Sequence, residues 1–263
     1  MHVTLLDQLA AGGASLVAGA VNALAGGGTL ISFPTLVALG VPAVSANITN
    51  TVSILPGYLA GSYAQRDDLR DQLASARVLA GVAAAGGLAG AVLLVLIPGH
   101  AFRQAVPYLI LLSCVLLAVG DRLKPRRPPV ERPAEQRGAP TTALHTRHSL
   151  VFLAAVFVAA AYGGFFGAGL GIILLAVMGI FLDESLTRIN ALKQGLSFVV
   201  NLLAAVFLAF SGKVTWALVP VMAVASVAGG LAGGRLVRRI DGDQLRKVVV
   251  VAGLGVAVYF FAA

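Results

Sequence analysis

The sequence predicts an all-α polytopic membrane protein built as two inverted repeats. Each repeat has a glycine-broken re-entrant or half-helix segment plus three spanning helices. Three observations predict it. The chain is 58% hydrophobic and only 11% charged, where soluble domains have about 45–50% apolar and about 25% charged residues. Apolar segments of spanning length recur along it, two of them interrupted by glycine. The second half also repeats landmarks of the first at a constant offset. So few charges cannot cover a water-facing surface, which excludes a soluble enzyme, a secreted disulfide scaffold and a disordered chain.

In chain order, uninterrupted apolar spans are expected at about 45–65, 73–97, 102–119, 190–210, 214–234 and 247–262. A spanning helix needs about 20 such residues. Two further apolar regions are broken: 8–40 at Gly26-Gly27-Gly28, and 149–182 at Gly163-Gly164 and Gly167-Ala168-Gly169-Leu170-Gly171. Their pieces, mostly 12 to 17 residues, would be roughly 18–26 Å long as helices. That is short for a crossing, so half-helices meeting inside the membrane are expected. Backbone broken at that depth survives only where protein buries it or where it lines a cavity.

The domain reading follows: a first transmembrane repeat over 1–120, a linker over 121–148 and a second repeat over 149–263. The linker carries five prolines and seven basic residues and reads as extended. If each broken region enters and leaves on one side, 17 of the 19 lysines and arginines fall in inner loops. Only Arg103 and Lys213 remain outside. This positive-inside bias places the linker in the cytoplasm and both termini outside. The same clustering makes the net charge of +8 a topology device, and nucleic acid is not an expected partner. Met1 to Gln8 carry no lysine or arginine, so no cleavable signal peptide is expected.

An offset of 143 residues places Gly28 on Gly171 and Asn47 on Asn190. In both halves an asparagine opens a long span 19 residues after the break. The basic loop follows the second element of the first half but the third element of the second half, so the halves are expected to insert in opposite senses. Paired broken helices in inverted repeats mark secondary transporters, with the site near the midplane.

The first break, Gly26, Gly27, Gly28 and Thr29, lacks the lysine that a phosphate-binding loop would need after its last glycine. Interrupted helices expose N–H groups and a positive helix end, which suit an anion. Close packing of small residues is the competing reading. Asn47, Asn50 and Thr51 share one helical face, at i, i+3 and i+4. Asn190, Lys193 and Gln194 repeat that pattern, with Lys193 where the first half has Asn50. An ionisable residue inside a membrane segment is costly and commonly functional; snorkelling to the cytoplasmic edge is the alternative for Lys193. No carboxylate is expected within a span, and His2, His100, His145 and His148 lie outside the spans. Neither a metal site, a cofactor nor an enzyme is therefore expected. Cys114, the single cysteine, reads as a small core residue, and Gly229-Gly230-Leu-Ala-Gly233-Gly234 as a packing face. An interior of amides, hydroxyls, helix ends and one cation points to an oxyanion.

With Ala25-Gly26-Gly27-Gly28, Phe33-Pro34 and Ala46-Asn47-Ile-Thr49-Asn50 in the first half, the chain resembles the TauE/SafE sulfite exporters. In the second half the matching residues are Gly164-Phe-Phe-Gly167-Ala-Gly169-Leu-Gly171 and Asn190-Ala-Leu-Lys193. Val177 stands where the first half has Pro34. The resemblance implies a bacterial inner-membrane exporter or permease of small sulfur anions such as sulfite, thiosulfate or organosulfonates. Its expected partners are that anion and the lipid bilayer, and a homodimer is left open. The substrate would lie near Gly26, Gly27, Gly28, Thr29, Asn47, Asn50, Thr51, Gly167, Gly169, Gly171, Asn190, Lys193 and Gln194. A non-transporting membrane subunit, or a carrier of another small organic anion, remains the alternative.

Overall fold

The computed structural model describes residues 3–24, 26–70, 72–123, 150–182, 184–236, 250–251 and 253–258. The linker beyond residue 123 and half of the span expected at 247–262 lie outside the described residues. The helices are α1 Leu5–Leu24, α2 Thr29–Ala38, α3 Ala43–Ala64, α4 Arg66–Arg70 and α5 Leu73–Leu96, then α6 Gly99–Leu123, α7 Leu150–Phe165, α8 Leu170–Phe181, α9 Leu186–Ala209 and α10 Val219–Leu236. Among the described residues there is no strand. Stretches Ala76–Leu96, Gly99–Leu116, Thr187–Ala209 and Val219–Leu236 are long and apolar enough to cross a bilayer, which makes this a multi-pass membrane protein.

Both broken regions form a longer helix, a short irregular segment and a shorter helix. The first differs from expectation in length: α1 has 20 residues and α2 only 10. Thr4 sets the early start. Its Oγ1 accepts from Asp7 N at 3.2 Å, and its own N–H donates to Asp7 Oδ2 at 2.8 Å, a reciprocal cap worth about 1 kcal/mol. Helix α9 likewise starts before residue 190, because Ser185 caps it through Arg188 N at 3.4 Å. Helix α10 starts later than 214. The irregular connection before it is held by Thr215 N, which donates to Thr49 Oγ1 at 2.9 Å. The loop expected at 66–77 contains the five-residue α4.

Helices α3 and α9 run antiparallel. The start of α9 meets the end of α3 through Asn190 and Gln65, whereas the segment after α9 meets the start of α3 through Thr215 and Thr49.

The two sequence halves interleave. Helix α10 packs on α1 and α3, and α5 packs on α7 and α9. Glycines make these crossings close: Gly230 lies against the Gly57 backbone and Gly87 against that of Val200. Gly229 meets Leu16 and Gly233 meets Ala20, so the predicted packing face of α10 serves that role. Gly86 and Gly90 face Phe157 and Ala161 in the same way. Within lipid, such close approach and the dispersion contacts it permits replace the hydrophobic driving force available in water. The offset of 143 relates Gly86, Gly87 and Gly90 to Gly229, Gly230 and Gly233, and Gly57 to Val200.

Candidate functional site

Each break is built by glycine backbone that an L side chain would strain. Gly26 and Gly27 have φ of 82° and 93°, and Gly167 and Gly169 have φ of 80° and 83°. Gly26 N closes the end of α1 on Val21 O at 2.9 Å, and Phe166 N closes α7 on Tyr162 O at 2.9 Å. The short helices then begin on glycine caps, Gly28 for α2 and Gly169 for α8. Neither cap carries a side chain to satisfy the first N–H groups, so each helix presents a positive end. Asn22 Oδ1 accepts from Gly28 N at 2.7 Å and holds the first break shut. In the second, Ser113 Oγ donates to Ala168 O at 2.9 Å and pairs with the Tyr162 hydroxyl at 2.8 Å. Phe33 lies edge-on to Phe166 with centroids 5.3 Å apart, clamping α2 to the second break.

The breaks touch. A Cβ on Gly26 would stand 3.0 Å from the Gly171 Cα, and one on Gly171 would stand 3.4 Å from Lys193 Cδ. A Cβ on Gly167 would lie 3.7 Å from Thr29 Oγ1.

Polar side chains of α3 and α9 reach the ends of the broken helices. Asn47 Nδ2 donates to Phe165 O, the last residue of α7, at 2.8 Å. Asn50 Nδ2 donates to Thr29 Oγ1 at 3.4 Å. From α9, Asn190 Nδ2 donates to Ala23 O at 3.4 Å and to Gln65 Oε1 at 2.7 Å. Lys193 Nζ donates to Asn22 O at 3.3 Å. The pattern is crossed: α3 holds the end of α7, and α9 holds the end of α1.

Lys193 and Gln194 are fully buried, and Asn47 and Asn50 are 1% exposed, so the ammonium does not snorkel. Lys193 meets the carbonyl end of α1, where the partial charge is negative. Its single hydrogen bond among the described residues uses one of three donors. With their N–H groups spent on fixed acceptors, Asn47, Asn50 and Asn190 each keep an Oδ1 without a partner among the described residues, and Gln194 has none there at either end. Each such buried group costs about 1–3 kcal/mol unless something polar meets it.

The remaining expected positions divide. Gly26, Gly171, Gly167, Thr29, Asn50 and Lys193 are brought together, with Gly27 and Gly169 shaping the breaks. Thr51 is not aimed at them: its Oγ1 donates to Asn47 O, one turn back in its own helix, at 3.0 Å. Gly28 is spent on packing, because a Cβ there would overlap the Ala18 backbone. Sequence reasoning missed Asn22 and Gln65. Asn22, an amide in the last turn of an apolar helix, was visible as an anomaly; Gln65 matters only because α3 and α9 are antiparallel. Among the described residues no group of three His, Cys, Asp or Glu could hold a metal ion.

An apolar helical bundle with two glycine breaks in contact and one cation buried beside them defines a multi-pass membrane protein with a broken-helix core. The chain belongs to the sulfite exporter TauE/SafE family, whose profile matches residues 11–260. It is similar to the "Probable membrane transporter protein ORF9" of Sinorhizobium sp, at 27% identity over 95% of this chain and 90% of that protein. It is also similar to the "Probable membrane transporter protein YfcA" of Escherichia coli (strain K12), at 25% identity over 90% and 83% of the two chains. A "Probable membrane transporter protein" of Haemophilus influenzae matches at 26% over 89% and 87%. No solved structure matches. The family and the names of these relatives support a membrane transporter.

Proposed function

We propose that the protein carries small sulfur oxyanions, such as sulfite, thiosulfate or organosulfonates, across the bacterial inner membrane, with the substrate held between the two helix breaks. The observation that carries this reading is the fully buried Lys193, whose one hydrogen bond among the described residues goes to a neutral carbonyl. A buried ammonium without a counter-ion is unfavourable, and an anionic substrate supplies the missing charge. The starts of α2 and α8 add positive helix ends. Unpartnered amide oxygens of Asn47, Asn50 and Asn190 accept only, so they suit a protonated oxygen of the ligand or the water it retains.

In this reading, two inverted repeats over 1–120 and 149–263 rock against each other about the contact of Gly26 with Gly171. The antiparallel α3 and α9, and the matched glycine crossings at an offset of 143, support that movement. The linker at 121–148 would lie in the cytoplasm, with both termini outside.

Labelled-sulfite counterflow in proteoliposomes tests the proposal, with unlabelled sulfite, thiosulfate, sulfoacetate, sulfate and acetate on the trans side. Exchange selective for sulfur oxyanions and lost in Lys193→Ala is expected. Flat traces from well-folded, reconstituted protein would remove these substrates.

A further inference from the structure

Two cations stand apart from the topology pattern. Arg103 and Lys213 are the only lysine or arginine residues on the face expected outside, where a positive-inside chain gains nothing from them. The fold brings them to one open cavity of about 670 Å³ at the end of the bundle where α3 and α6 begin. His100 lines it too, with Ser45 and the residues that open both helices. Among the described residues no acidic one is in the lining. The carboxylate of Asp7 is engaged by Thr4 N and Oγ1, both at 2.8 Å.

The placement is fixed rather than incidental. Lys213 sits on a short turn whose Ser211 Oγ accepts from Lys213 N at 3.3 Å, and Thr215 ties that turn to α3. Arg103 lies in the second turn of α6. Helix α3 opens on Pro42 with no side-chain cap, so its first N–H groups and their positive end face the same space. Two exposed cations without ion pairs among the described residues repel each other, and the helix ends add to the field. Such a basin favours an anion.

We propose that this cavity is an external collecting site for small oxyanions, above the broken-helix core. Ser45 lines it and Asn50 is five residues deeper along α3, a rise of about 7.5 Å. An anion gathered by Arg103 and Lys213 is thus delivered beside the first break. A phosphate headgroup shares the same chemistry. The inference rests on the anion-transport reading and fails separately from it.

The test is uptake of labelled sulfite into phosphatidylcholine vesicles by wild type and by the Arg103→Gln, Lys213→Gln double variant. The double variant raises KM roughly tenfold at low ionic strength, as expected when steering charges are lost, while the maximal rate changes little. Added salt raises the wild-type KM toward that of the variant. Exchanging the two residues, Arg103→Lys with Lys213→Arg, preserves the low KM and separates charge loss from misfolding. An unchanged KM in the double variant overturns the proposal. A KM that responds to the substitutions only when phosphatidylglycerol is present assigns the cavity to lipid and also overturns it. If wild type carries no sulfur oxyanion, the transport reading fails; equilibrium sulfite binding in detergent, weakened in the double variant or not, then decides the cavity alone.

Discussion

The Lys193 ammonium lies 3.3 Å from the main-chain carbonyl of Asn22, at the end of α1 where the last carbonyls have no partner within the helix. Asn22 works in both directions, since its side chain also accepts from Gly28 N at 2.7 Å. One residue therefore links the buried cation to the shape of the first break. On the proposed reading, an anion that draws Lys193 away would change the restraint on the end of α1 and so couple binding to the first break.

Lys193→Met separates charge from packing. Removing an ammonium that lacks a counter-ion should leave the unfolding midpoint unchanged or raise it, by about 1 kcal/mol or more. If sulfite is the substrate, then at 100 times its dissociation constant it should stabilise wild type by about 2.7 kcal/mol, and the variant should gain nothing. Thermal unfolding with and without sulfite reads both effects. A variant that melts lower and still responds to sulfite would make Lys193 a structural residue.

Three glycine-to-alanine variants grade the contact between the breaks. Gly26→Ala combines a φ of 82° with a Cβ 3.0 Å from Gly171 Cα, and should cost about 3 kcal/mol or more. Gly212→Ala has a φ of 70° but open space, so only the backbone strain of about 1 kcal/mol remains. Gly81→Ala lies in α5 with nothing within 4 Å, and should stabilise by about 0.5–1 kcal/mol. Unfolding midpoints in one detergent should rank the three in that order.

Much of this core was legible from residue type and spacing. Asn47 and Asn190 stand out because amides are rare at the start of apolar spans, and the glycine runs because they supply positive φ, as at Gly26, Gly27, Gly167 and Gly169, which other residues rarely adopt. The burial of Lys193 was not legible: its ammonium meets the end of α1, 171 residues away in sequence. Nor was the crossed bonding of the halves, whose acceptors are backbone carbonyls of Asn22, Ala23 and Phe165 that any residue would supply. The length of α1 was hidden for a different reason. Its start depends on the Thr4–Asp7 cap, a local device outside the apolar pattern.

Among the described residues, the bond between Asn190 and Gln65 joins the start of α9 to the end of α3 side chain to side chain. A double-mutant cycle with Asn190→Ala and Gln65→Ala should give a coupling of about 0.6 kcal/mol, and no more than about 1.7, the range for such bonds between membrane helices. Zero coupling would mean that Asn190 is held by Ala23 O alone.

Arg77, exposed near the start of α5, and Lys213, exposed just past the end of α9, are suited to test orientation. Gln72 Nε2 donates to Arg188 O at 3.1 Å, which fixes the start of α5 beside the start of α9. Helix α9 has 24 residues, about 36 Å at 1.5 Å each, so its two ends lie on opposite faces of the bilayer. The native Cys114 is 1% exposed and should stay silent toward a membrane-impermeant maleimide. With Cys114→Ser as background, Lys213→Cys should label in intact spheroplasts and Arg77→Cys only after permeabilisation. The reverse pattern would turn the molecule over. It would put the Arg103 and Lys213 cavity on the cytoplasmic face, where it would collect anions for export rather than receive them from outside.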